Sequence, residues 1–189
     1  MTTNLIAQAG IALNKLNLEV GLSARNRSCD LNDHSLQGAL AALESFYYGF
    51  NNRNLNTIRS LWLNNELVQL NNPVGGIVRD LEEILAVYEK LFNGNVRVWV
   101  NFTDIVYYGT SDFVVFAGTE IGEFSSNGQT MQLKFRTSRC FGFMKDEKRW
   151  YQLHHHGSID DADLLLRYQT AVRPEHPGHF FMSFQQPEI

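Results

Sequence analysis

The chain has 189 residues, 44% hydrophobic and 12% aromatic, enough for one domain with a packed core. Its formal charge of -4 comes from 16 basic and 20 acidic residues interspersed along the chain, with no basic stripe to neutralise phosphates, so nucleic acid is not an expected partner. Cys29 and Cys140 stand far apart with no metal-ligand spacing, and no apolar run approaches the ~18–20 residues of a membrane span. The expectation is a soluble cytoplasmic protein with no metal, no cofactor and no membrane partner.

Residues 1–34, rich in Asn and Leu without a sustained period, read as a flexible arm with at most one short helix. From Ser35, a good N-cap, apolar residues recur at Leu36, Leu40, Leu43, Tyr47 and Phe50, which lines one face of a helix. A polar NNRN turn leads to a short second helix, LNTIRSLW, that ends at Trp62. ELVQL reads as a brief strand, and NNPVGG breaks regular structure. The clearest helix follows: Asp80 as N-cap with Glu83 three residues on, Leu81, Ile84, Leu85, Tyr88, Leu91 and Phe92 on one face, and Gly94 just past the end.

Four alternating segments come next: VRVWVNF, FVVFAGTEIGEF, MQLKFRTSRCFGFMK and WYQLHHHGS, separated by hairpin-type turns. They predict an antiparallel meander and, with the three helices before it, an α+β fold. After Asp160, DADLLLRYQTAV reads as helical until Pro174 and Pro177 forbid continuation. Phe180, Phe181 and Phe184 are too apolar for a free tail, so the tail is expected to dock on its own domain or on a dimer mate. The expected organisation is an arm over 1–34, a domain over 35–160 and a docking tail over 161–189.

This element order, with NPVGG between strand and helix and the closing W-x-x-L-H-x-H-x-S of Trp150, His154, His156 and Ser158, resembles the nuclear transport factor 2-like superfamily, also called SnoaL-like or ketosteroid-isomerase-like. It is most similar there to bacterial relatives of the calcium/calmodulin-dependent kinase II association domain. The resemblance implies a cone: a curved antiparallel sheet wrapped around three N-terminal helices, with an internal pocket and a homodimer formed through the convex surface. It does not supply a reaction, because the fold hosts many. Ketosteroid isomerase chemistry needs an Asp base, a Tyr and a protonated Asp. Asn72 stands where the base would be, Phe46 with Tyr47 beside it where the Tyr would be, and Arg139 or Cys140 where the second Asp would be, so that activity is rejected.

The remaining pocket chemistry turns on Arg139. Alternation places it with Met131, Leu133, Phe135, Thr137, Phe141 and Phe143, on the apolar side of its strand. The similar kinase association domain also carries an Arg there. A bulge could instead turn Arg139 outward, or it could pair with a buried carboxylate, for which Glu120 on the neighbouring strand is the candidate. A closed pair makes the cation structural; an open one leaves a fork for a ligand carboxylate. The same counting groups His155 with Tyr151 and Leu153 on the pocket side, against Trp150, Gln152, His154 and His156.

The expectation is therefore a protein that binds a small organic acid or apolar anion, with Arg139 and Asn72 as polar contacts and Trp62, Tyr88, Phe135 and Tyr47 as walls. Any lyase or isomerase step would use His155 with Glu120. The rival expectation is a non-catalytic assembly or regulatory module whose pocket is filled by a protein segment.

Overall fold

The long strands form where the sequence alternates, and the resulting sheet is the scaffold of the site. A computed structural model of the chain describes residues 10–172. Its elements are β1 (Ala12–Lys15), α1 (Leu36–Asn51), α2 (Leu55–Leu61), β2 (Gln69–Asn71), β3 (Ile77–Arg79), α3 (Leu81–Asn93), β4 (Arg97–Gly109), β5 (Phe113–Ser126), β6 (Gln129–Met144), β7 (Arg149–Ser158) and α4 (Ala162–Val172). The sheet is open and seven-stranded, in the order β1-β4-β5-β6-β7-β2-β3. All pairs are antiparallel except β2 with β7, which run parallel. This is the α+β cone that the sequence implied, with a fourth helix following the sheet.

Helix ends follow the capping residues. Ser35 accepts a hydrogen bond from the Gln37 amide at 3.1 Å, and Asn54 accepts from the Thr57 amide at 3.0 Å. Asp80, at φ 70, accepts from the Glu82 amide at 2.8 Å and starts α3 directly after β3, a strand that the Gly-rich turn had hidden from the sequence reading.

The described part of the expected arm makes backbone pairings with the sheet. β1 pairs with β4, Val20 bridges Phe102 through two backbone bonds of 3.0 and 2.7 Å, and Leu31 is fully buried. The physical reason is the edge of β4, whose backbone groups need partners that its own strand pattern does not specify. Between residues 10 and 35 the helical element is one 3-10 turn at Ser28–Asp30. The expectations for Phe180, Phe181 and Phe184 lie outside the described residues.

Two irregularities position the interior. Opposite Cys140 and Phe141, β7 carries one extra residue: Cys140 faces His154 while Phe141 faces Gln152, leaving Leu153 unpaired. The bulge reverses the alternation midway, so Trp150 and Gln152 are buried on the same side as His155 and Gly157. The expected grouping of His155 with Tyr151 and Leu153 is thus corrected, although His155 does face inward. Second, Gly157 lets the NNPVGG loop lie on the sheet, since a Cβ there would stand 2.5 Å from Pro73 Cγ.

Candidate functional site: a buried ion pair beside a small cavity

β6 brings Arg139 into the interior directly opposite His155 of β7, and β5 brings Glu120 four residues along from Phe116, which faces Arg139. Arg139 and Glu120 are only 2% and 3% exposed, so neither charge could persist alone. They are paired: Arg139 Nη2 donates to Glu120 Oε1 at 2.9 Å. Tyr47, delivered by α1, donates its hydroxyl to the same Oε1 at 2.6 Å and accepts from Arg139 Nε at 3.1 Å. The guanidinium carbon also lies 3.5 Å from the centroid of the Phe46 ring. Of the two arrangements open at the sequence level, the closed pair is the one formed, and the group as a whole is electrically neutral.

Burial works against the charge on Arg139, yet Tyr47, Glu120 and Tyr88 around it hold the guanidinium protonated, above its ordinary range. Burial likewise pushes the Tyr47 hydroxyl well up and that of Tyr88 to about 12, so both remain proton donors at neutral pH. His155 is moved the other way. Burial, then the Arg139 charge, then His154 and His156 hold its pKa well below the usual imidazole range, so its ring is neutral.

Beside this group is a cavity of about 60 Å³. Glu120, Arg139, Phe135, Tyr88, His155 and Asn72 border it, with Phe46, Pro73, Leu91 and Tyr168 among the others. Six of the residues picked from the sequence are therefore brought together. Trp62 and Tyr47 are not walls: Trp62 is buried in the core and Tyr47 is spent on the ion pair. Asn72 borders the cavity while its side-chain oxygen accepts from the Val74 amide at 3.1 Å, holding the turn of the loop.

Sequence reasoning missed Phe46 and Tyr168 as walls. Tyr168 of α4 packs on Phe124 and Phe135, with ring centroids 5.1 and 5.7 Å apart, and borders the cavity. On its far side a groove of about 740 Å³ runs between α3, the β5–β6 hairpin and α4. Leu91 borders both spaces. The only available signal for Tyr168 was its helical spacing from Leu164 and Leu165.

Both ring nitrogens of His155, which border this region, have no hydrogen-bond partner among the described residues; Arg139 Nη1, Tyr88 Oη and Trp62 Nε1 have none at close distance, although Arg139 and Trp62 act on the Tyr88 hydroxyl as donors. His156, on the outer side of β7, instead places Nδ1 3.2 Å from Asn71 Nδ2. Among the described residues no group of three or more His, Cys, Asp or Glu side chains is arranged to hold a metal ion.

A cone of sheet around helices, with a polar group buried at its centre, defines a nuclear transport factor 2-like domain. The sequence model for the SnoaL-like domain matches residues 39–162, and the chain belongs to that family. The fold is similar to a candidate calcium/calmodulin-dependent protein kinase type II association domain from Thiobacillus denitrificans, at 18% identity and TM-score 0.52 over 65% of this chain and 94% of that one. It is also similar to a nuclear transport factor 2-like protein from Cytophaga hutchinsonii, at 16% identity and TM-score 0.54 over 66% and 97%. A third similar structure is a candidate dehydratase of the same family from Streptomyces avermitilis, at 17% identity and TM-score 0.55 over 69% and 99%. These likenesses establish the fold. No curated protein matches the chain.

Proposed function

We propose that this protein binds a small, largely apolar molecule in the cavity between α1, α3 and the concave face of the sheet. The observation that carries this reading is a cavity lined mostly by apolar side chains with the unpartnered ring of His155, and with Arg139 and Tyr88 lacking close partners for one polar atom each, on its wall, the mixture typical of a ligand site. A structural core alone would more economically be filled by hydrocarbon, because each unsatisfied buried polar group costs ~1–3 kcal/mol.

The Arg139–Glu120 pair alters the expected role of Arg139. It supplies one remaining donor, Nη1, from a neutral pair instead of an open cationic fork. A lyase or isomerase step would have to pass a proton between Glu120 and His155. The reduced proton affinity of His155 supports a neutral hydrogen-bonding ring more than a proton store. Ordinary ligand pockets occupy ~300–1,000 Å³. A ligand of that size would reach from the cavity past Tyr168 into the groove beside α4.

Homodimerisation through the outer sheet face is part of the same proposal, supported by Tyr108, Phe113 and Ile121, which are 44%, 41% and 43% exposed there. So is a cytoplasmic location. Light scattering on the full chain checks the dimer.

The test is a thermal-shift screen of wild type and Phe135→Trp against small ketones, amides, carboxylates and steroids. Saturable stabilisation that Phe135→Trp abolishes is the expected result; a flat screen refutes it. The second reading, a regulatory or assembly module with a protein-filled pocket, is favoured by Tyr168, a side chain from the helix after the sheet that already fills part of the cavity wall. It predicts a flat screen for wild type and for Tyr168→Ala alike.

A further inference from the structure

This inference rests on the ligand-binding reading and names the chemistry of the ligand. Three elements contribute one polar side chain each to the cavity wall: Tyr88 from α3, Arg139 from β6 and His155 from β7. They are 4%, 2% and 5% exposed. The two ring nitrogens of His155 have no partner among the described residues, and Arg139 Nη1 and Tyr88 Oη have none at close hydrogen-bond distance, although Arg139 and Trp62 act on the Tyr88 hydroxyl as donors. All three stand around one ring: the Arg139 guanidinium lies 3.5 Å from the Phe46 centroid, and the Tyr88 and His155 rings lie 6.1 and 6.2 Å from it.

The chemistry of the three is complementary to one kind of ligand group. A guanidinium N–H can only donate, a tyrosine hydroxyl with no acceptor nearby offers its proton, and a neutral imidazole offers one N–H. Charge decides between an anionic and a neutral acceptor. Arg139 is already balanced by Glu120 at 2.9 Å, so a ligand carboxylate would bring a second, uncompensated negative charge into a buried space. A carbonyl oxygen accepts two hydrogen bonds, which any two of the three donors can supply, and brings no net charge.

We infer that Tyr88, Arg139 and His155 form an acceptor subsite that holds the carbonyl oxygen of a small neutral ketone or amide. Phe46, Phe135 and Tyr168 contact the apolar part of that molecule.

The experiment titrates the ¹⁵N-labelled full chain, as wild type and Tyr88→Phe, with three probes of similar size: cyclopentanone, its hydrocarbon analogue methylenecyclopentane, and cyclobutanecarboxylate. Amide shifts around Glu120, Arg139 and His155 report the cavity. The expected result is that cyclopentanone binds tightest and that Tyr88→Phe weakens it ~3- to 10-fold while leaving methylenecyclopentane unchanged. Equal affinity for ketone and hydrocarbon would overturn the acceptor subsite and leave the binding cavity standing. Preference for the carboxylate would overturn the charge argument. Failure of all three probes to shift cavity amides would overturn the binding reading itself.

Discussion

Replacing Arg139 by methionine tests whether the ion pair holds the interior together. The variant leaves Glu120, 3% exposed, with the Tyr47 hydroxyl at 2.6 Å as its remaining recorded partner. Removing one member of a buried pair costs ~3–5 kcal/mol, because the other charge is stranded away from water. The contact of the guanidinium with Phe46 adds little to that figure, since methionine can pack on the same ring. For a chain of this length, with ~2–4 °C of Tm per kcal/mol, the loss corresponds to roughly 6–20 °C. Urea unfolding of wild type, Arg139→Met, Glu120→Gln and the double variant forms the assay. Glutamine removes the charge and keeps an acceptor for Tyr47, so the double variant should recover ~1.5–3 kcal/mol relative to the sum of the singles. Additivity within ~0.5 kcal/mol would refute the coupling.

Tyr88→Phe should change stability by less than ~1 kcal/mol in either direction, because the buried hydroxyl makes no close hydrogen bond and only weak ones with Arg139 and Trp62; a larger loss in urea unfolding would show that those contacts hold the core. His155 binds its proton less readily when folded than the ordinary 6.5 of an imidazole. The unfolded chain therefore takes up the extra proton, and stability falls with pH below ~6.5 by up to ~1.4 kcal/mol per unit until the folded ring titrates. His155→Leu should flatten that acid limb in urea midpoints measured from pH 7.5 to 4.5; an unchanged slope would contradict the assignment. Gly38→Ala should destabilise by ~1–3 kcal/mol, since the new Cβ would meet Asp33 O at 2.0 Å and Trp150 Cδ1 at 2.8 Å. Calorimetry showing no loss would mean that α1 can lift off β7 at little cost.

How much of this was legible in the sequence depends on which forces act locally. Arg139 could be placed inward because its strand alternates without interruption from Met131 to Phe143, and Glu120 could be proposed as its partner because it is charged in an apolar strand. Ser35 and Asp80 mark helix starts through side-chain chemistry that acts within three residues. The bulge at Leu153 could not be read, because nothing in WYQLHHHGS itself says where pairing with β6 slips by one residue. Tyr168 escaped for a related reason: its burial depends on where α4 lands relative to Phe124 and Phe135, a tertiary result. Phe46 was weighed only as a stand-in for a tyrosine, while its ring serves as the platform for Arg139.

The double acceptance by Glu120 Oε1 has a further consequence for how β5 and β6 find each other. A slip of two residues between these strands would keep every side chain on its own face, so greasy alternation alone cannot distinguish the native alignment from that error. In one sense such a slip carries Arg139 a further ~6.6 Å from Glu120 along the strand, out of reach of the 2.9 Å contact; in the other sense it brings Arg139 opposite Gly118, nearer Glu120 but displaced from the Tyr47 hydroxyl and the Phe46 ring on α1. A slip of one residue would put one of the two charges outside and strand the other. Arg139 and Glu120 alone exclude one of the two slips, and it is Tyr47 and Phe46 on α1 that select against the other, so the helix takes part in setting the register of the hairpin.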